Sequence, residues 1–172
     1  MILIFFGPPG AGKGTQASLV SKKIGIPHLS TGDILRNILK KENNISKKIR
    51  EIIDSGKLVS DDILNQIVSD RINDQDCKSG FILDGYPRNE VQAKSLDAIL
   101  GQSSNSIDCI LQIDVDFSIL EKRIEGRAQD NNTEIMEDDI LQVMKKRLQV
   151  YVDQTEPLIW YYSYHKNFIV IN

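Results

Sequence analysis

A glycine-rich loop near the N-terminus holds the residues best suited to chemistry, in the order Gly7-Pro8-Pro9-Gly10-Ala11-Gly12-Lys13-Gly14-Thr15. Glycines let main-chain N–H groups converge on the oxygens of an anion, and a helix starting there adds a partial positive charge. The spacing Gly-x-x-x-x-Gly-Lys fits the P-loop, in which the lysine reaches the outer phosphates and a following hydroxyl binds magnesium. The sequence therefore predicts a phosphate-binding loop rather than an ordinary turn. One position departs from the general pattern, because Gly14 stands where serine or threonine is expected and the hydroxyl follows at Thr15.

Two charged residues follow an apolar segment in the middle of the chain. Residues 81–83 read as a buried strand, and they run directly into Asp84-Gly85-Tyr86-Pro87-Arg88. Open α/β sheets bind their ligands beyond the carboxyl ends of the strands. We therefore expect Asp84 and Arg88 to face a ligand.

A pair of arginines, Arg123 and Arg127, stands four residues apart in a predicted helix. At that spacing the two side chains share one face of the helix. They suit a phosphate-binding face, but the end of a solvated helix is an equally good interpretation, because arginine is favourable at a helix C-terminus.

The elements that position these residues alternate in type along the chain. Short apolar strands are predicted at residues 1–6, 28–29, 81–83, 107–113 and 168–171, with helical patterns between them. This alternation is typical of a parallel sheet covered by helices on both faces. Three helical patterns follow one another between residues 30 and 72, where a substrate-binding insertion fits. The last helix, which begins near residue 137, is interrupted by Pro157.

Size and charge limit the classes of function. The 172 residues fit one domain, and 21 basic against 24 acidic residues give a net charge of −3. Such a balanced charge does not predict a general nucleic-acid or anionic-membrane surface. The N-terminal apolar stretch is too short for a signal or spanning helix, and the two cysteines lie too far apart for a metal-binding pair. We expect a cytoplasmic protein.

Three motifs read together carry a family resemblance: the loop from Gly7 to Thr15, the segment Ser30-Thr-Gly-Asp-Ile-Leu-Arg36, and Asp84 to Arg88 followed by Gln92. They make the chain similar to adenylate kinase, the nucleoside monophosphate kinase that converts ATP and AMP into two ADP. The resemblance runs in register over the whole chain. It implies a P-loop three-layer α/β fold with a five-stranded parallel sheet over residues 1–172, a helical AMP-binding insertion at 30–59 and a short lid at 126–137.

The resemblance also implies residue roles. ATP phosphates would contact Gly10, Ala11, Gly12, Lys13, Gly14 and Thr15, the adenine would contact Arg123, and Arg127 would close on the phosphates. AMP would contact Thr31, Arg36, Lys57, Leu58, Val59, Gly85, Tyr86, Pro87, Arg88, Gln92 and Arg147. The catalytic set would be Lys13, Asp84, Arg88, Arg127 and Arg147. Magnesium would arrive with ATP, near Thr15 and Asp84 and without direct protein ligands. The implied partners are ATP, AMP and ADP, with no nucleic acid, no membrane and a monomeric state.

Base selection rests on two positions. The uridylate and cytidylate kinases of this family typically carry alanine where this chain has Thr31, and asparagine where it has Gln92. A glutamine amide both donates and accepts, as the Watson–Crick edge of adenine requires. Asn89 echoes the pyrimidine enzymes, so UMP or CMP as acceptor stays an alternative.

The chain departs from the resembled kinases in two places. Met136 replaces a phosphate-binding arginine of the lid, which predicts lower turnover. Asn172 is the last residue, whereas the resembled enzymes continue with a loop against the ATP base, and we expect weaker selection of the donor base. A module that senses ATP and AMP with little turnover is therefore the alternative from another functional class.

Overall fold

A five-stranded parallel sheet forms the centre of the protein, in a computed structural model that describes residues 1–40, 49–50, 52, 59–116, 119–120 and 141–172. The strand order is β2-β3-β1-β4-β5, and each neighbouring pair is parallel. The strands are β1 (Ile2–Phe6), β2 (His28–Ser30), β3 (Phe81–Asp84), β4 (Cys109–Ile113) and β5 (Phe168–Ile171). The predicted five-stranded parallel α/β fold is confirmed.

The helices lie between the strands in sequence, as their apolar spacing predicts. They are α1 (Lys13–Ile24), α2 (Thr31–Leu39), α3 (Asp61–Ile72), α4 (Glu90–Gln102), α5 (Leu141–Val150) and α6 (Leu158–Tyr162). A π-helical segment (Tyr151–Thr155) follows α5, and the chain turns at Pro157 before α6, where the sequence predicts an interruption. None of the helices in the described ranges is both long and apolar enough to cross a membrane.

Alternate residues of the strands supply two hydrophobic layers. Ile2, Ile4 and Phe6 of β1 pack on one face of the sheet against side chains of α3 and α4. Leu3 and Phe5 point to the other face and pack with Ala17 of α1. All five residues of β1 are buried. This double-sided burial is what a parallel strand in the middle of a three-layer fold requires.

The C-terminal aromatic segment at residues 158–164, whose composition predicts core packing, is buried on one side only. Leu158 and Tyr162 are 1% and 3% exposed, whereas Trp160 and Tyr164 are 77% and 92% exposed. Residues four apart share one face of a helix, so only one of these two pairs can face the sheet. Strand β5 is half exposed because, within the described part of the chain, it has one neighbouring strand.

The sheet brings the two main motifs together. β1 and β3 are adjacent, with Phe5 opposite Asp84, so the loop after β1 and the loop after β3 leave the sheet side by side. Of the predicted AMP-binding insertion at 30–59, residues 41–48, 51 and 53–58 lie outside the described residues, as does the whole predicted lid at 126–137.

Candidate active site

A cavity of about 500 Å³ lies where the carboxyl ends of β1, β2 and β3 meet. Its lining includes twelve of the residues that the sequence predicts as functional: Gly10, Gly12, Lys13, Gly14, Thr15, Thr31, Arg36, Asp84, Gly85, Pro87, Arg88 and Arg147. This is the place where an open α/β sheet binds its ligand. The structure therefore collects residues from four separate parts of the chain around one cavity.

The glycine-rich loop opens α1 towards this cavity. Gly12 precedes the helix with φ 88°, a left-handed conformation that glycine adopts without strain. No side chain caps the helix, and its first turn contains no acidic residue. The first N–H groups of a helix have no partner within it, and they carry its partial positive charge. The N-terminus of α1 thus supplies main-chain donors suited to an anion.

The Pro8 carbonyl closes the loop on itself. It accepts a hydrogen bond from the Ala11 N–H at 3.2 Å and a second from Lys13 Nζ at 2.8 Å. The Ala11 amide therefore points into the loop, and Ala11 is buried. Lys13 reaches back over the loop, where its ammonium group stands beside the cavity.

Positive charge accumulates around the cavity. Burial lowers the pKa of Lys13 to about 8; the Asp84 carboxylate opposes this, whereas Arg88 and Arg147 add to it. Burial also lowers the pKa of Arg88 to about 10, with Arg147 acting in the same direction and Asp84 in the opposite one. Both residues remain protonated at neutral pH. Removal from water and repulsion between cations disfavour the charged forms, and an anionic ligand would relieve both effects.

The pKa of Lys13 predicts how anion binding depends on pH. Below about pH 8 the ammonium group is charged before binding. Above that pH the ligand must bind together with a proton, so affinity falls by up to about tenfold per pH unit. We expect the affinity for inorganic triphosphate to decline as pH rises from 8 to 9.5, with proton uptake visible by calorimetry in buffers of different ionisation enthalpy. In a Lys13→Arg control, which stays charged, this decline should disappear; an equal decline in both proteins would contradict the assignment.

Asp84 ends β3 with its carboxylate at the cavity, and it is 8% exposed. Its Oδ2 atom lies 3.1 Å from Nε2 of His28, which also lines the cavity. A side-chain carbon at Gly14 would stand 3.4 Å from the same oxygen. Glycine at this position of the loop therefore leaves the space in front of the Asp84 carboxylate open.

The loop after β3 fits closely around Gly85. The Thr31 hydroxyl donates to the Gly85 carbonyl at 3.0 Å, and Arg88 Nε donates to the same carbonyl at 2.7 Å. Gly85 has φ 79°, and a Cβ atom there would stand 2.7 Å from Thr31 Oγ1 and 3.1 Å from a terminal nitrogen of Arg88. A side chain at Gly85 would displace both residues.

We expect the Gly85→Ala variant to lose about 1–3 kcal/mol of unfolding free energy, since it combines a strained backbone with a steric overlap. Gly101 of α4 offers a matched control, because a Cβ atom there meets nothing within 4 Å. The Gly101→Ala variant should be neutral or slightly stabilised, as alanine favours helix. Urea denaturation of the two variants measures the difference, and equal stabilities would refute the role given to Gly85.

Among the described residues, four of the predicted ones do not line the cavity: Ala11, Val59, Tyr86 and Gln92. Val59, Tyr86 and Gln92 are buried, with exposures of 3%, 1% and 0%. The Tyr86 hydroxyl donates to Asn65 Oδ1 at 2.7 Å and so faces α3. Lys57, Leu58, Arg123, Arg127 and Met136 lie outside the described residues.

Gln92 uses both ends of its amide within the protein. Its Oε1 atom accepts from the Arg88 N–H at 2.7 Å, and its Nε2 atom donates to Asp61 Oδ1 at 2.7 Å. The amide oxygen can accept a second hydrogen bond and the amide nitrogen can donate another, so these two bonds do not by themselves prevent a contact with a base. Asn89, the residue that echoes the pyrimidine kinases, caps α4 by accepting from the Gln92 N–H at 2.9 Å.

The residues predicted as functional do not include His28 and Tyr151. Both line the cavity, together with Met144, Val150 and Thr155. The spacing of Arg147, Tyr151 and Thr155, each four residues after the last, was an available signal that they share a face. No comparable signal marks His28, because its approach to Asp84 depends on the pairing of β2 with β3.

Comparison with known proteins bears on the same set of motifs. The family model described as adenylate kinase matches residues 5–167. Curated relatives named adenylate kinase come from Brucella anthropi and Brucella ovis, each 46% identical, and from Brucella melitensis biotype 1, 45% identical. Each of these alignments covers 100% of this chain and 90% of the relative.

Proposed function

The chain belongs to the adenylate kinase family, and from this premise we propose that it transfers the terminal phosphoryl group of ATP to AMP, giving two ADP. One observation supports the proposal most strongly. Lys13, Arg88 and Arg147 line one cavity with Asp84 at the edge of the sheet. Arg36 and Asp33 also line the cavity, so four cations face two carboxylates, and this excess of positive charge suits a ligand that carries several phosphates.

The chemistry requires no nucleophile from the protein. In phosphoryl transfer the charge spreads over the equatorial oxygens of the moving group, so catalysis depends on alignment and on fixed positive charge. Lys13 and the N-terminus of α1 would bind the donor phosphates. Arg88 presents a planar fork that suits two oxygens of the acceptor phosphate. Arg147, on α5, would face the phosphates from the opposite wall of the cavity.

Magnesium enters as part of the donor, ATP–Mg. Within the described residues no group of three or more histidine, cysteine or acidic side chains could hold a metal ion. The cavity does offer the Thr15 hydroxyl and the Asp84 carboxylate, both hard oxygen groups of the kind magnesium prefers. Asp84 would orient the ion through bound water, and the ion would help to neutralise the phosphates.

The acceptor side is assigned to Thr31, Arg36, Gly85, Pro87 and Arg88. Arg36 lines the cavity from α2, and its terminal nitrogen contacts Asp33 Oδ1 at 2.6 Å. The Ser30 hydroxyl caps the start of α2 by accepting from the Asp33 N–H at 3.3 Å. The first turn of this helix therefore lies at the cavity. We assign Lys57, Leu58, Val59, Tyr86 and Gln92 to the same acceptor site, and Gly10 to Thr15 with Arg123 and Arg127 to the donor site.

We also infer moving parts around the cavity. The insertion at 30–59 would close over AMP, and the lid at 126–137 would close over ATP. Closure excludes water, which otherwise competes with AMP for the phosphoryl group. We further propose that the protein is a monomer in the cytoplasm and that it keeps the adenine nucleotides in balance.

A substitution at Met136 tests whether the missing arginine of the proposed lid limits turnover. A lid arginine at this position would add positive charge to the transition state, so we expect the Met136→Arg variant to have a kcat about tenfold higher or more. A Thr133→Arg variant adds the same charge elsewhere in the proposed lid and should leave kcat unchanged. Steady-state rates measure both, and equal rates for Met136→Arg and the parent would show that the missing arginine has no consequence.

The decisive experiment is a coupled assay with ATP–Mg and, in turn, AMP, UMP, CMP or GMP. Formation of ADP with AMP as the preferred acceptor is the expected result. Preference for UMP or CMP would overturn the adenylate assignment. Nucleotide binding without turnover for any acceptor would instead support the sensor module.

A further inference from the structure

Both sides of the Arg88 main chain are held by side chains from other elements. On one side, the Arg88 N–H donates to Gln92 Oε1 at 2.7 Å. On the other side, the Arg88 carbonyl accepts from Thr155 Oγ1 at 2.9 Å. A residue fixed at both N–H and C=O cannot shift along or turn about its own backbone without breaking a bond. The side chain then starts from a fixed point.

Gln92 is held in turn by Asp61, at the start of α3. Asp61 Oδ1 accepts from Gln92 Nε2 at 2.7 Å and from Asn89 Nδ2 at 2.9 Å. An ionised carboxylate can only accept hydrogen bonds, so the Gln92 amide must turn its nitrogen towards Asp61 and its oxygen towards Arg88. Gln92 is 0% exposed, so water cannot replace either partner.

The sequence assigns Asp61 a different task. It predicts that Ser60, Asp61 and Asp62 cap α3, yet Ser60 makes no capping hydrogen bond with its side chain. Asp61 and Asp62 both stand in the first turn, where either charge favours the helix. Asp62 is exposed, whereas Asp61 is partly buried against α4. The two neighbours therefore share their effect on the helix and differ in their contacts.

We propose that Asp61 and Thr155 are positioning residues that set the main chain of Arg88 from its two sides, through the contacts Asp61–Gln92–Arg88 and Thr155–Arg88. Asp61 does not line the cavity, and Thr155, which does, acts here through its bond to the Arg88 carbonyl. The proposal rests on the proposed function and deepens it, because Arg88 is the group assigned to the acceptor phosphate. Asp61 begins α3 and Thr155 follows the helix that bears Arg147, so the two contacts connect Arg88 to two separate elements of the fold.

Loss of either the Asp61–Gln92–Arg88 contacts or the Thr155–Arg88 contact should weaken AMP binding and leave ATP binding unchanged. A small misplacement of a binding group can cost about 100-fold. We expect the Asp61→Ala variant to raise the Kd and KM for AMP about 10- to 100-fold, with the KM for ATP within about twofold of the parent. The Asp61→Asn variant keeps an acceptor oxygen for both amides and should recover most of the loss.

Two controls separate positioning from stability. The Asp62→Ala variant removes a carboxylate from the same helical turn and should bind AMP as the parent does. At Thr155, valine removes the hydroxyl without changing the shape, whereas serine keeps it. Thr155→Val should therefore raise the Kd for AMP about 3- to 10-fold, and Thr155→Ser should not.

Calorimetry with AMP, together with hydrogen exchange at the Arg88 N–H followed by NMR, decides the matter. Faster exchange and weaker AMP binding in Asp61→Ala, but not in Asp62→Ala, support the proposal. Unchanged AMP affinity, or a parallel rise in the KM of ATP, overturns it, as does equal AMP affinity of the valine and serine variants at 155. A parent chain that bound no AMP would overturn the proposed function, and exchange at Arg88 would still show whether Asp61 holds that main chain.

Discussion

The Arg88→Ala variant is expected to transfer phosphoryl groups about 10³-fold more slowly than the parent, and up to about 10⁵-fold if its guanidinium stabilises the transition state as fully as an arginine finger does. Burial, together with the charge of Arg147, lowers the pKa of Arg88 to about 10, so the folded protein already bears the cost of holding the guanidinium charged. Phosphate oxygens that bind beside the guanidinium offset this cost. The measurement is kcat/KM for AMP at saturating ATP–Mg.

Two further variants separate the charge of Arg88 from its forked shape and from its place in the cavity. Lys94 of α4 is exposed and pairs with Glu90 at 2.6 Å, so Lys94→Ala removes the same charge from the region without touching the cavity. It should retain full activity. Arg88→Lys keeps the charge and loses the fork, together with the 2.7 Å bond to the Gly85 carbonyl, and it should fall between parent and alanine variant. An Arg88→Lys variant as active as the parent would contradict the forked contact.

The Lys13→Met variant is expected to lose activity and gain stability. Without the ammonium group, kcat should fall about 10²- to 10³-fold, as for the loss of one preorganised donor. The pKa of Lys13 is about 8 in the folded protein against 10.5 for a free side chain. Folding therefore disfavours the protonated form, and removing it should raise the unfolding free energy by about 1–3 kcal/mol near neutral pH.

The pH dependence gives this prediction its sign. Between pH 8 and 10.5 the unfolded parent binds more protons than the folded parent, so the stability of the parent rises with pH in that window. Methionine does not titrate, so the advantage of the variant should shrink as pH rises through the same window. Denaturant unfolding at several pH values measures it, with Lys22→Met on the exposed side of α1 as a control. If the difference in unfolding free energy between Lys13→Met and the parent widened with pH, a cost of burying the Lys13 charge would be ruled out.

The sequence predicts the parts of the site that lie close together in the chain. Gly12, Lys13 and Thr15 belong to one loop, and Asp84 to Arg88 belong to another, so local spacing is enough to mark both. The order of strands and helices then places the two loops at one edge of the sheet. These are short-range and topological properties, which a pattern of residue types can encode.

Contacts between distant elements were not predictable in the same way. His28 approaches Asp84 because β2 pairs with β3, and Thr155 reaches Arg88 through the turn after α5. The residues beside Asp61 predict a helix cap, yet its hydrogen-bond partners are Asn89 and Gln92. Side-chain direction in the folded chain decides such contacts, and no spacing in the sequence records it.

The pairing of Phe5 with Asp84 has a consequence for how activity is lost. The end of β1, which carries the phosphate loop, and the end of β3, which carries Asp84, are joined by the hydrogen bonds of central strands. Central strands of a sheet open only in the global unfolding reaction, whereas peripheral segments open locally at lower free energy. Mild heat or denaturant should therefore impair the enzyme first through its surrounding segments, and the spacing between Lys13 and Asp84 should persist until the domain itself unfolds.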